Sequence, residues 1–472
     1  MSRFIFPESQ SSILTEDGSN YTYSELLALS SEVHQRMLSG SVIICQVAND
    51  IGGLLGYFAF AYGEGFHPLM LGQDIHQSHI EAIIEKYEPE YAWVPMSLIP
   101  MYGDDASVLC RYFDYCLIQL KSHLRVALKP VNNQLCVLAS TSGSTGSPKF
   151  VRQSVNNVLS NSKSITEYLS LSSDDTAITS LPLHYTYGMS LINCQIAVGG
   201  NISLTDKSFV QKEFWSQLRE HDVSVLAGVP YTYEMMDRLR VFRKDLPKIT
   251  TLMQAGGKLS ESLQTKVAEY SLRYGKKFFV MYGQTEATTR MSFLPPDMCL
   301  SKIGSIGLAI PGGAFSIVDD DGNECEENQV GELIYHGPNV TLGYAESRED
   351  LGKGDDWKGF LSTGDLASRD ADGYYYIQGR LKRIVKHFGL RVNLDEVEKI
   401  LKKRFEKHML ACTEHDEVIK VFVDAPISHN EVLDHLTSTT SLKRSGIEII
   451  ELASIPVMSS GKVDYQALKL VD

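Results

Sequence analysis

Nine residues, Thr141-Ser142-Gly143-Ser144-Thr145-Gly146-Ser147-Pro148-Lys149, gather hydroxyls, glycines and a lysine into one loop. Glycine lets backbone N–H groups come close to an anion. The hydroxyls add donors, and Lys149 adds a point charge. Such a loop is suited to phosphate oxygens. It is not a Walker A loop, which ends in Gly-Lys-Ser/Thr where a helix begins; here Pro148 precedes Lys149 and Phe150 follows it. A Ser/Gly-rich linker has a similar composition. A linker, however, needs neither the lysine nor the apolar run Leu135-Cys136-Val137-Leu138-Ala139 before it, which reads as a buried strand. A helical pattern follows, with Val155, Val158, Leu159, Ile165 and Leu169 on one face.

Other segments add chemistry. Met281-Tyr282-Gly283-Gln284-Thr285-Glu286 places a hydroxyl and a carboxylate after an apolar strand. A carboxylate near bound phosphates suits magnesium, which takes oxygen donors, and Tyr282 offers a flat face to a base. Ser362-Thr363-Gly364-Asp365 sets one acid in a turn, where it can accept two vicinal hydroxyls or form an Asx-turn. Gly379-Arg380-Leu381-Lys382-Arg383 opens a basic stretch, and Lys462 stands in Ser459-Ser460-Gly461-Lys462-Val463. Taken singly, each of these reads equally well as a turn or a solvated surface.

These residues need a scaffold. The 472 residues suffice for roughly three structural units at about 150 residues per domain. With 43% apolar and 22% charged residues the composition is globular. A formal net charge of −14 argues against nucleic acid as the main partner. The eight cysteines show no C-x-x-C spacing, which argues against zinc, and a disulfide framework is not expected in so long a chain. The start of the chain does not read as a signal peptide. The apolar stretch 51–62 is too short to span a bilayer. The expected compartment is the cytosol.

Helical and strand patterns alternate through residues 20–290: a helix over 23–38, strands over 41–47, 223–229 and 277–281. This predicts layered α/β structure with mainly parallel sheet and ligands at the strands' carboxyl ends. Residues 303–379 read as a β-rich subdomain with turns at Asp320-Asp321-Gly322-Asn323 and Asp370-Ala371-Asp372-Gly373. Two domains are expected: a large one over 1–380 and a small α+β one over 381–472, with a helix near 395–408.

In their order and spacing these motifs, with the run from Gly331-Glu332-Leu333 to Gly343-Tyr344, resemble the adenylate-forming superfamily of acyl- and aryl-CoA synthetases, peptide-synthetase adenylation domains and luciferase. The resemblance extends from about residue 21 to 468. It implies an AMP-forming ligase using ATP and Mg2+, acting on a carboxylic acid and then on a phosphopantetheine thiol of CoA or a carrier protein. By resemblance, residues 141–149 hold the β- and γ-phosphates, Thr285 the α-phosphate and Glu286 the magnesium. Tyr282 stacks on adenine beside Gly256, Gly257 and Lys258, and Asp365 and Arg380 bind the ribose. Lys462 bridges carboxylate and α-phosphate. Lys382 is the hinge about which a mobile C-terminal domain turns, and Gly389 lines the thiol tunnel.

The chain also departs from the pattern. Amino-acid-activating members carry an Asp for the substrate ammonium. The matching segment here, Leu181-Pro182-Leu183-His184-Tyr185-Thr186-Tyr187-Gly188-Met189, has no acid, and an unpaired ammonium there is costly. The pocket residues expected are His184, Tyr185, Tyr187 and Gly188, which favour a flat or short acid or else pack as core. Shortening around 412–425, and Tyr465 where Arg is frequent, lean the reading toward a carrier protein. A D-alanine-type ligase, a luciferase-type oxygenase and a non-catalytic relative are the alternatives; the last predicts loss of Glu286, Asp365 or Lys462, and all three are present.

Overall fold

The computed structural model describes residues 11–103, 106–120, 130–140, 149–387, 390–415, 417–424, 426–440, 442–458 and 462–471. The chain divides into two compact units. The first comprises residues 1–314 with 336–361, the second 315–335 with 362–472.

Among the described residues the first unit carries a nine-stranded and an eight-stranded sheet. In the eight-stranded sheet Leu135–Ser140, Phe66–Gly72, Ser41–Val47 and Tyr91–Pro95 run parallel to one another, in that order. In the nine-stranded sheet Thr176–Ile178, Val225–Gly228, Thr251–Gln254 and Lys277–Tyr282 do the same. Parallel strands are covered on both faces, so their sequences read as continuous apolar runs. Ser41–Val47 is buried at every position, as the apolar run requires. The helix Ile51–Ala61 is buried almost all round, which is why residues 51–62 look membrane-like. No described helix is long and apolar enough to cross a membrane.

Local signals set the helix starts. Thr22 and Glu25 form a capping box on Tyr23–His34, and Ser154 caps Val155–Leu169 through Asn157. The first of these helices stops four residues short of the expected end. Gln35, Arg36 and Met37 close it with turn hydrogen bonds, as fraying helix ends commonly do.

One expectation needs correcting. The phosphate-loop segment does not lead straight from strand to helix. A further strand, Phe150–Ser154, intervenes and pairs antiparallel with Leu135–Ser140. Residues 141–149 therefore connect the two strands of a hairpin, and only then does the helix begin. The sequence hides the strand because Arg152 and Gln153 are polar yet buried. Arg152 satisfies its guanidinium on the carbonyls of Leu342, Lys353 and Gly354 and on Asp356, at 2.5–3.0 Å.

The second unit contains a four-stranded sheet over Ala314–Val318, Gly331–His336, Phe360–Arg369 and Tyr375–Arg380. Its hairpin turns at Asp370–Gly373, where Asp370 N–H donates to Tyr374 O and Gly373 has φ +86°. Beyond it come the helix Leu394–Arg404 and a three-stranded sheet of Leu410–His415, Val418–Val423 and Ile447–Glu451, closed by His429–Thr439. The expected helix near 395–408 is thus present and ends at Arg404.

Candidate functional site

The strand Lys277–Tyr282 delivers Tyr282 to its carboxyl end, next to the parallel strand Thr251–Gln254 and the turn Gly256-Gly257 that follows it. Carboxyl ends of parallel strands are where open α/β sheets bind ligands. At Gly283 any Cβ would overlap the carbonyl of Thr289, so only glycine lets the chain fold back here. The returning loop holds Thr285–Ala287 in one 3-10 turn and Thr288 and Thr289 at φ +54° and +106°. A β-branched residue at positive φ is strained, and such strain collects at functional sites.

Glu286 is fixed at both ends. Its carbonyl accepts from the N–H and hydroxyl of Thr341, both at 3.0 Å. Its carboxylate Oε1 accepts from the Tyr344 hydroxyl at 2.7 Å. Burial, then the Glu286 charge and hydrogen bond, push the Tyr344 phenol up, so it remains a donor at neutral pH. Lys149 Nζ lies 3.5 Å from the centre of the Tyr344 ring, a cation–π contact, and pairs with Glu346 at 3.6 Å. The end of the hairpin connection and the Glu286 carboxylate therefore meet on one tyrosine. The buried pair Arg348–Glu90, at 2.9 Å, anchors the segment that carries Tyr344.

Thr285 Oγ1 lies 3.3 Å from Thr186 Oγ1, which opens the helix Thr186–Val198. Asn49 pins the strand-to-helix segment before that helix, donating to Thr179 O and Leu181 O and accepting from Leu183 N–H. Tyr185 is half-buried and its hydroxyl approaches Gly256, which stands at φ +83°. Tyr187 faces inward: it is 1% exposed and its hydroxyl donates to Met253 O. Gly188 packs in the first helical turn against the Pro182 carbonyl. His184 Nδ1 is buried without a partner among the described residues. Burial holds the His184 imidazole below the usual histidine range, against the opposing pull of Asp74. Gly257 and Lys258 are exposed, and Tyr282 accepts from Gln284 Nε2 at 3.3 Å.

In the second unit Asp365 and Arg380 face each other across the hairpin. Arg380 Nε donates to Asp365 Oδ1 at 3.1 Å. The Asp365 side chain is 4% exposed and the Arg380 side chain 61%. Lys382 is exposed in the 3-10 turn Leu381–Arg383. The Lys462 carbonyl accepts from Met458 N–H at 2.8 Å, and Val457 bridges to Val463. Three residues on, the Tyr465 hydroxyl meets both Glu398 oxygens at 3.1 Å beneath the Arg383 guanidinium. Thr141, Ser142, Gly143, Ser144, Thr145, Gly146 and Gly389 lie outside the described residues.

Residues 10–345 match the family model described as AMP-binding enzyme. The chain belongs to that family. Among curated relatives of this AMP-binding enzyme, the 2-succinylbenzoate–CoA ligase of Enterococcus faecalis is 29% identical over 263 residues, 55% of this chain and 52% of that one. The oxalate–CoA ligase of Arabidopsis thaliana is 28% identical over 267 residues, 55% and 51%. In these alignments the chain spans about half the length of each relative. The structure of O-succinylbenzoate coenzyme A synthetase from Bacillus subtilis in complex with AMP superposes with a TM-score of 0.79 at 22% identity, covering 99% of this chain and 96% of that one. That likeness establishes the layered α/β fold over nearly the whole chain.

The sequence alone assigns no role to Tyr344, which stands within a motif, or to Arg290. For Tyr344 the signal is an aromatic hydroxyl directly after Gly343. For Arg290 the signal was a lone arginine between a threonine turn and the apolar strand Ser292–Leu294.

Proposed function

We propose that this AMP-binding enzyme is an AMP-forming ligase that joins a carboxylic acid to a thiol. The observation that carries this reading is the contact between Thr285 and Thr186. It ties the loop bearing Glu286 to the helix start that follows His184 and Tyr185. A nucleotide α-phosphate at Thr285 and an acid seated along 184–188 would then be neighbours.

The first step forms a bond between a carboxylate oxygen and the α-phosphorus of ATP. The bond from that phosphorus to its bridging oxygen breaks, and pyrophosphate leaves. The second step forms a bond between the thiol sulfur and the acyl carbon, the thiol proton is lost, and AMP leaves. Holding two anions in reacting geometry removes much of the barrier. Charge stabilisation supplies much of the rest.

Glu286 fits a magnesium ion. It is half-buried, Tyr344 occupies one carboxylate oxygen, and the other has no donor among the described residues. When bound, magnesium would lower the charge on the phosphates. Lys149 brings a cation to the end of the phosphate loop, and Tyr282 and Gly256-Gly257 border the base. Asp365 accepts the ribose hydroxyls. With it deleted, Asp365→Ala should raise the KM for ATP about 10- to 100-fold, the worth of one or two hydrogen bonds to a charged group. A KM within a factor of two of the parent would remove Asp365 from the nucleotide site.

The acceptor we favour is CoA, which the curated relatives' names carry. A carrier protein's phosphopantetheine offers the same thiol. Amino acids are a poor fit because 181–189 holds no acid. The test is a screen of aryl and acyl acids with ATP, magnesium, and CoA or holo-carrier protein, with thioester read by mass. The reading expects an acid-dependent thioester with equimolar AMP. Nucleotide hydrolysis without a thioester would defeat it.

A further inference from the structure

Arg290 is 1% exposed. Its Nε and Nη2 have no hydrogen-bond partner among the described residues. Nη1 reaches the sulfurs of Met253 and Met281, at 3.8 and 3.6 Å. The guanidinium lies 5.0 Å from the centre of the Tyr187 ring. The Tyr168 hydroxyl is hydrogen-bonded to the guanidinium, and the Cys194 thiol is the other polar group bearing on it. Burial pushes Tyr168, Tyr187 and Cys194 up, the thiol to about 11. None of them supplies an anion at neutral pH. No ion pair to Arg290 occurs among the described residues. A buried cation is normally paired, and the planar fork of arginine matches a carboxylate with two parallel hydrogen bonds.

The position is fixed. The Arg290 carbonyl accepts from Asn161 Nδ2 at 2.8 Å and from Asn339 Nδ2 at 3.1 Å. The side chain is also joined to the reacting end of the candidate site. Tyr187, beneath the guanidinium, directly follows Thr186, which touches Thr285. Tyr185, on the other side of Thr186, stands 6.4 Å from Tyr187, ring to ring. Thr186 therefore separates the Arg290 guanidinium from the place where an acid would meet the α-phosphate.

We propose that Arg290 receives a second carboxylate of the substrate, and that the chain activates dicarboxylic acids. This rests on the ligase reading above and deepens it. One carboxylate attacks the α-phosphorus; the other stays ionised and fills the Nε and Nη2 donors of Arg290. Tyr187 lies under the fork, and the methionine sulfurs keep water from it.

The test is acid-dependent pyrophosphate release at saturating ATP and magnesium, using dicarboxylic acids of several lengths, aliphatic and aromatic. Each is matched with its half methyl ester and with the monocarboxylic acid of equal length. The wild-type enzyme should prefer its best diacid by at least about 100-fold in kcat/KM, since a site built to hydrogen-bond a substrate group rejects analogues lacking it. Arg290→Met should remove that preference, chiefly by raising the KM for the diacid and lowering it for the monoacid, with the KM for ATP unmoved. Wild-type use of monoacids or half esters as good as that of diacids would overturn the proposal, as would equal loss of both classes in Arg290→Met. Should that variant fail to fold, the wild-type comparison decides alone. Turnover of monoacids without diacids sinks only this inference; no pyrophosphate from any acid sinks the ligase reading and this one with it.

Discussion

Lys462→Ala should lower acid-dependent pyrophosphate release by about 10²- to 10³-fold, the effect of deleting one charged donor aimed at a transition state. The ammonium is proposed to bridge the attacking carboxylate and the α-phosphate, two anions that repel each other before they react. Alanine leaves the backbone in place: the Met458-to-Lys462 hydrogen bond and the Val457–Val463 bridge do not involve the side chain. The second unit should therefore keep its fold, and calorimetric ATP binding should change less than about tenfold. Thioester formation from a preformed acyl adenylate should persist, because that step no longer brings carboxylate and triphosphate together. Unchanged pyrophosphate release would remove Lys462 from the chemistry. Equal loss of both steps would make it a structural residue.

Glu286→Gln should cost about 10²-fold or more in the same assay and raise the magnesium concentration needed for half-maximal rate. The amide keeps an oxygen that can accept from Tyr344, so the loop geometry survives while the charge is lost. Magnesium ligands are hard, charged oxygens, and a neutral amide is a weak replacement. Tyr344→Phe serves as the comparison. It removes the 2.7 Å hydrogen bond but leaves the carboxylate and the ring under Lys149, so the loss should be nearer tenfold. A Glu286→Gln enzyme with unaltered magnesium dependence would show that the carboxylate is not the ligand.

Much of the scaffold was legible because it rests on local signals. Ser41–Val47 and Leu135–Ser140 are apolar runs that could only be buried strands. The turn at Asp370–Gly373 sets the hairpin register as far as Ala367; a bulge between Leu366 and Ala367, which the sequence does not announce, then brings Arg380 opposite Asp365. What stayed hidden depends on partners distant in sequence. Arg152 sits in a strand because groups 190–204 residues away satisfy it. Tyr344 becomes a site residue only when a chain segment 58 residues beyond Glu286 returns to it. Arg290 reads as an ordinary surface charge until the helix Thr186–Val198 and two strands close over it. Tyr187 was equally a pocket or a core residue by type. Its hydroxyl on Met253 O, its ring under Arg290 and its 1% exposure place it in the core.

The most direct test of the account is exchange of labelled pyrophosphate into ATP, with magnesium and a carboxylic acid present and every thiol left out. If the chain forms an acyl adenylate reversibly, label enters ATP only when the acid is added, and Lys462→Ala abolishes the exchange. Exchange that ignores the acid, or nucleotide breakdown to ADP and phosphate in its place, would contradict it.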